Sequence, residues 1–125
     1  MNTKLLRKVK KVVLEEPRRL DMANWIQTNM TALPAEERPP CGTVACIAGW
    51  AIHLSGVDPA LTPGAYSEIA NGLLGLDEDQ GRRLYYTGSW PESFDEAYHA
   101  AETAQERAQI AARRIDHFIK TKGAE

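Results

Sequence analysis

Histidine and cysteine are scarce in this chain, with three of the first and two of the second among 125 residues. Two thiols cannot build the disulfide framework that staples small secreted domains. Nor are Cys41 and Cys46 expected to pair with each other, because residues five apart on a helix point about 140° away from one another, outside disulfide geometry. Long apolar runs are missing too. The longest weakly polar stretch, Cys41 to Gly56, is shorter than the ~20 residues that cross a bilayer and contains His53, so no membrane span is expected. Lysines recur through Lys11 at the basic amino terminus, which breaks the uninterrupted apolar segment of a secretory signal. A cytoplasmic address is the expectation. Also absent are an alternating strand pattern, an internal repeat, a low-complexity segment, a glycine-rich phosphate loop, a G-x-S-x-G elbow and a paired histidine–glutamate motif.

What is present is globular in character: 43% apolar residues, 26% charged residues and a net charge of −2. The length suits one domain, residues 1–125, with its own core. Apolar residues recur at helical spacing throughout, and the expected fold is all-α: an orthogonal bundle of about six or seven helices. Its centre is a buried helix over about residues 42–55, because Val44 to Leu54 is apolar or small in every direction around a turn. Residues 1–16 read as a basic amphipathic helix at the periphery, with Leu5, Leu6, Val9, Val12 and Val13 as its stripe and Pro17 as its stop. Asp21 is a candidate cap for a short helix carrying Met22, Trp25, Ile26 and Met30. Thr62 with Pro63, Asp77 with Gln80, and Thr103 with Glu106 read as further helix starts, and Gly56, Gly75 and Gly123 as stops. Ala104, Ala108, Ala111, Ile115, Phe118 and Ile119 give the stripe of the last helix.

Cys41 is the candidate nucleophile. Three prolines precede it, so the central helix is expected to open there, where unpaired backbone N–H groups and the helix dipole lower a thiol pKa. The C-G-x-x-x-C string is similar to the nucleophile region of ubiquitin-like-protein proteases, but no histidine precedes Cys41. A cysteine-first order leaves His53, His99 or His117 as base, oriented by Asp58, Asp95 or Asp116. His53 lies about three turns along the same helix, out of reach. A packed structural thiol is the competing and favoured reading. No metal site is expected, since Cys46 and His53 are two turns apart, ~10 Å, on one face. The DEDQG string at 77–81 is not a calcium loop, because Gly81 and Gly88 occupy positions five and twelve. No cofactor is implied.

Two binding surfaces are candidates. Through Arg19 the chain has seven basic and two acidic residues, and the remainder has eight and fifteen. Lys4, Arg7, Lys8 and Lys11, with Lys10, Arg18 and Arg19, could therefore meet an anionic macromolecule, either an acidic protein or a nucleic acid, or a membrane surface, against the favoured reading of a terminal helix docked by its valine stripe with a solvated lysine face. No aromatic residue lies among the lysines to stack on bases. Tyr85 and Tyr86, beside Thr87, Gly88 and Ser89, would suit a ligand or protein contact if exposed, against a competing reading as core.

The strings LDMANW, CGTVACIAGWA, LLGLDEDQGRRLYY, WPESF and AARRIDHFI together resemble a group of small bacterial and phage proteins to which no activity, ligand or catalytic residue is assigned. The resemblance spans Leu20 to Ile119, with C-G-T-x-x-C-I-A-G-W as its specific part. It implies a compact bacterial or phage domain and carries no site residue with it. The expectation is a small interaction module rather than an enzyme. The alternatives are a thiol-dependent enzyme using Cys41 and a nucleic-acid binder using the basic helix.

Overall fold

The computed structural model describes residues 1–27, 44–57 and 65–125. These contain six α-helices: α1 (Thr3–Glu15), α2 (Ile47–Leu54), α3 (Tyr66–Leu74), α4 (Glu78–Tyr85), α5 (Glu92–Ala100) and α6 (Ala104–Lys120). Two-residue strands β1 (Ile26–Gln27) and β2 (Val44–Ala45) pair antiparallel, with Ile26 opposite Ala45. The architecture is the all-α bundle that the helical periodicities imply, with this strand pair as its one departure. None of these helices is long and apolar enough to cross a membrane.

Helix α1 forms where the sequence places it. The Asn2 side chain accepts from the Leu5 N–H at 3.1 Å, filling one of the orphan donors of the first turn. Pro17, which has no N–H to continue the ladder, opens a 3₁₀ turn over Pro17–Arg19. Leu6, Val9 and Val13 are fully buried against α6 and α2, so α1 belongs to the core rather than to its periphery. Each such side chain contributes about 1.5–3 kcal/mol relative to exposure. At the other end of the layer, the Asn2 N–H donates to the Leu74 carbonyl at 2.6 Å, tying the start of α1 to the end of α3.

The central helix is shorter than its sequence suggests. Ile47 through Ile52 are all buried, and α2 packs on α1, α3 and α4. However, Val44 and Ala45 are strand, and the helix opens only after Cys46. The apolar run extends beyond the helix because a strand buried on both sides needs the same composition. Cys41, Gly42 and Thr43 therefore do not open α2, and they lie outside the described residues. His53, read from sequence as lying among core residues, is exposed, with its ring edge-on to Trp50 at 5.3 Å.

Asp21 caps a turn instead of a helix. Its carboxylate accepts from the Ala23 N–H at 2.9 Å and from the Asn24 side chain at 2.7 Å, the self-contained bonding by which Asp competes with helix formation. The chain then extends through Trp25 into β1. Helix α3 begins at Tyr66 with Ala65 before it, so Thr62 and Pro63 are not its cap; both fall outside the described residues. It ends at Gly75 in the left-handed conformation, φ 66°. The Asp77–Gln80 capping box on α4 is fully formed, at 2.8 and 3.0 Å. On α6 the Thr103 hydroxyl accepts from the Glu106 N–H, but the returning Glu106 carboxylate takes the N–H of Glu102 rather than that of Thr103.

Candidate functional site

Cys46 holds the helix-start position that the sequence suggested for Cys41. Its thiolate form is not favoured. The sulfur accepts from the Gly49 N–H at 3.5 Å and lies 3.7 Å from the Trp25 carbonyl, toward which the thiol donates. Backbone N–H groups such as that of Gly49 lower the pKa less than burial raises it, and the bond to the Trp25 carbonyl favours the protonated form. At 3% exposure, burial pushes the thiol up to about 11. Cys46 is a protonated cap that joins α2 to the turn before β1, and it carries no nucleophilic chemistry at neutral pH.

The histidines and carboxylates named as partners for a thiol are scattered. His99 Nδ1 is 2.9 Å from an Asp95 carboxylate oxygen, an exposed pair one turn apart on α5. His99 edges an open groove of about 600 Å³ that also touches Asp21, Tyr98 and Arg107. Asp116 instead binds Lys10 at 2.8 Å, and His117 packs on Phe94 with its Nε2 at 3.8 Å from Glu125. Asp58 and Cys41 lie outside the described residues. Among the described residues, no three His, Cys, Asp or Glu side chains come together around a point where an ion could sit.

The basic residues divide into two sets. Lys4, Arg7, Lys8 and Lys11 are exposed and share one face of α1, spaced three and four residues apart, opposite the buried stripe. Lys4, Arg7 and Lys8 make no ion pair among the described residues, and Lys11 reaches Glu15 only at 3.9 Å. Lys10 is committed to Asp116 on α6. Arg19 lies with its guanidinium 4.4 Å from the centre of the Trp50 ring, while its carbonyl accepts from the Trp50 indole at 2.8 Å. Arg18 is exposed on the same 3₁₀ turn.

The tyrosine pair divides as well. Tyr85 is 2% exposed and Tyr86 is 49% exposed, because consecutive residues at the end of α4 point to different sides. Both nevertheless meet Trp25. Their rings approach it edge-on, at 6.2 and 5.8 Å with interplanar angles of 73° and 88°, while Tyr66 from α3 stacks on it at 6.1 Å. Together with Met22, Cys46 and the turn backbone, Trp25, Tyr85 and Tyr86 line a cavity of about 260 Å³. The sequence placed Trp25 on a short helix and did not join it to the tyrosines. The available signal was weak: aromatic residues at the ends of three separate elements.

The turn is fixed by its own hydrogen bonds. The Asp21 N–H donates to the Ala45 carbonyl at 3.0 Å and the Cys46 N–H to the Asn24 carbonyl at 2.9 Å. Trp25 is thereby seated over the start of α2. Compared with protein-family models, curated proteins and solved structures, the chain matches none.

Proposed function

We propose that this protein is a small interaction module, of the bacterial or phage kind its sequence strings resemble, in which the exposed face of α1 docks on an acidic protein surface. The observation that carries this reading is the separation of charge on one helix. Lys4, Arg7, Lys8 and Lys11 face outward while Leu6, Val9 and Val13 are sealed inside. The cations are thus mounted on a rigid element and, among the described residues, form no ion pair closer than the Lys11–Glu15 approach. A molecule of net charge −2 with a local cationic strip is repelled at long range by an extended polyanion. It is oriented correctly by a compact acidic patch.

The test compares the full chain with a Lys4→Glu/Lys8→Glu variant, both positions being exposed. Each is titrated with an acidic helical peptide and with duplex DNA between about 50 and 300 mM salt, a range over which screening of exposed charges changes strongly. The wild type should bind the peptide and lose affinity as salt rises, and the variant should bind at least about tenfold more weakly. Tighter binding to DNA, with a steep salt slope of about −0.9 per phosphate contacted, would replace the acidic protein by a nucleic acid. Binding to neither ligand would remove the reading.

A further inference from the structure

The cavity beside Trp25 has features that the basic face does not explain. Its described lining carries no positive charge, and three aromatic rings bound it. The rings of Tyr85 and Tyr86 stand nearly perpendicular to Trp25, which leaves a corner of π-faces rather than a parallel slot for a flat ring. Cys46 contributes a protonated, uncharged thiol.

One buried polar atom at this place lacks a partner, and a second lies in the adjoining niche. The Tyr85 hydroxyl and, beside α4, the Asn71 Oδ1 atom are shielded from solvent and make no hydrogen bond among the described residues. Burying a polar group without a partner is costly, so the Tyr85 hydroxyl points to something that binds there. Tyr85 lines the 260 Å³ cavity and also a niche of about 90 Å³ between α3 and α4, which Asn71 and Glu78 edge. Arg82 lies at the niche too, but it is tied to Glu78 at 3.4 Å and Asp79 at 3.6 Å. Within the 260 Å³ cavity itself the lining offers the Tyr85 hydroxyl, the Cys46 thiol and aromatic π-faces.

We propose that this cavity binds an organic ammonium group, the quaternary or alkylated nitrogen of a small molecule or of a modified lysine side chain. The corner formed by Trp25, Tyr85 and Tyr86 receives the cation on its ring faces. The Tyr85 oxygen accepts from any N–H or hydroxyl that the ligand carries. The volume admits a head group of a few heavy atoms and excludes a drug-sized molecule. This site is separate from the α1 face, so its failure would leave the proposed docking surface standing.

The probes are choline and its neutral carbon isostere, 3,3-dimethylbutan-1-ol, with a trimethyllysine peptide as the third arm. Each is titrated into the full chain while the Trp25 indole resonance is followed by NMR. Choline or the peptide should shift that resonance and bind at least about tenfold more tightly than the neutral isostere, since only the cations gain the electrostatic attraction of the desolvated ring faces. The tighter of the two cations identifies the source of the ammonium. Tyr86→Leu, at an exposed position, should weaken cation binding about tenfold, and Tyr85→Phe should leave the fold intact while weakening choline, which carries a hydroxyl. Equal binding of choline and the neutral isostere, no shift with either cation, or unchanged affinity in Tyr86→Leu would overturn the proposal.

Discussion

Gly49 lies in the first turn of α2, where a Cβ atom would stand 1.6 Å from the Trp25 carbonyl oxygen and 2.7 Å from the Ala45 side chain. The near neighbour is backbone, already held by the Cys46 thiol and by the turn's own bonds, so it cannot swing aside. The close approach at Gly49 comes from the extended chain at Trp25 and not from a neighbouring helix. Gly49→Ala must therefore part α2 from that chain. The expected loss is about 3 kcal/mol, the upper range for overpacking, or roughly a 10 °C fall in melting temperature. A thermal melt within about 2 °C of wild type would show that the contact yields and that α2 is not locked to the turn. Because Trp25 bounds the aromatic cavity, the same residue couples stability to that site.

At the level of the helices, the sequence was most informative where a single element controls its own ends and face. The stripe and proline stop of α1, the capping box of α4 and the glycine stop of α3 need only local chemistry, and all are found in the structure. It was least informative where the deciding partner is remote. Val44 and Ala45 pair with β1, seventeen and nineteen residues away in the chain, and Asp21 satisfies its own turn, so helical composition there gave the wrong element. The candidate cavity was hidden for the same reason, since Trp25, Cys46 and Tyr86 belong to three different segments. Arg114 was legible but missed. It stands four residues from both Ile110 and Phe118 on the buried stripe of α6, and it is fully buried. Its guanidinium gives one bond to the Arg83 carbonyl at 3.0 Å and lies near the Phe118 and Phe94 rings, leaving Nε and one Nη without partners. Desolvation lowers its pKa to about 10. A buried cation satisfied this incompletely costs stability at pH 7. Arg114→Met, which keeps the stem and deletes the charge, is expected to match or exceed the wild type by up to about 2 kcal/mol in urea unfolding, whereas Arg114→Ala should lose stability to the cavity it leaves. A loss above about 1 kcal/mol in the Met variant would mean that the free donors are satisfied in solution.

For the molecule as a whole, the buried titratable groups act in opposite directions, and their pH windows separate them. Burial raises the Cys46 thiol from 9.0 to about 11 and raises the Tyr85 phenol above its usual 10.0, so the folded state holds both protons more tightly than the unfolded chain. Their contribution is complete below pH 9 and is lost as pH climbs through the unfolded and then the folded values. Arg114 runs the other way. Its folded pKa is depressed from 12.5 to about 10, so its penalty is relieved only as pH rises past 10. Between pH 9 and pH 10 the thiol therefore dominates, with the phenol following, and the protein should become less stable before Arg114 begins to compensate. For the thiol alone, a shift of this size amounts to about 2–3 kcal/mol once pH exceeds its folded value. Replacing Cys46 by Ala removes the titration along with the cap. The variant should start less stable by about 1 kcal/mol but show a flatter profile from pH 8 to pH 10. Urea midpoints measured across that interval decide the matter: an equal alkaline slope in wild type and Cys46→Ala would place the loss elsewhere and remove the thiol from the account. The flattened slope would instead identify Cys46 as a proton-bearing part of the core, joined through Trp25 to the cavity above it.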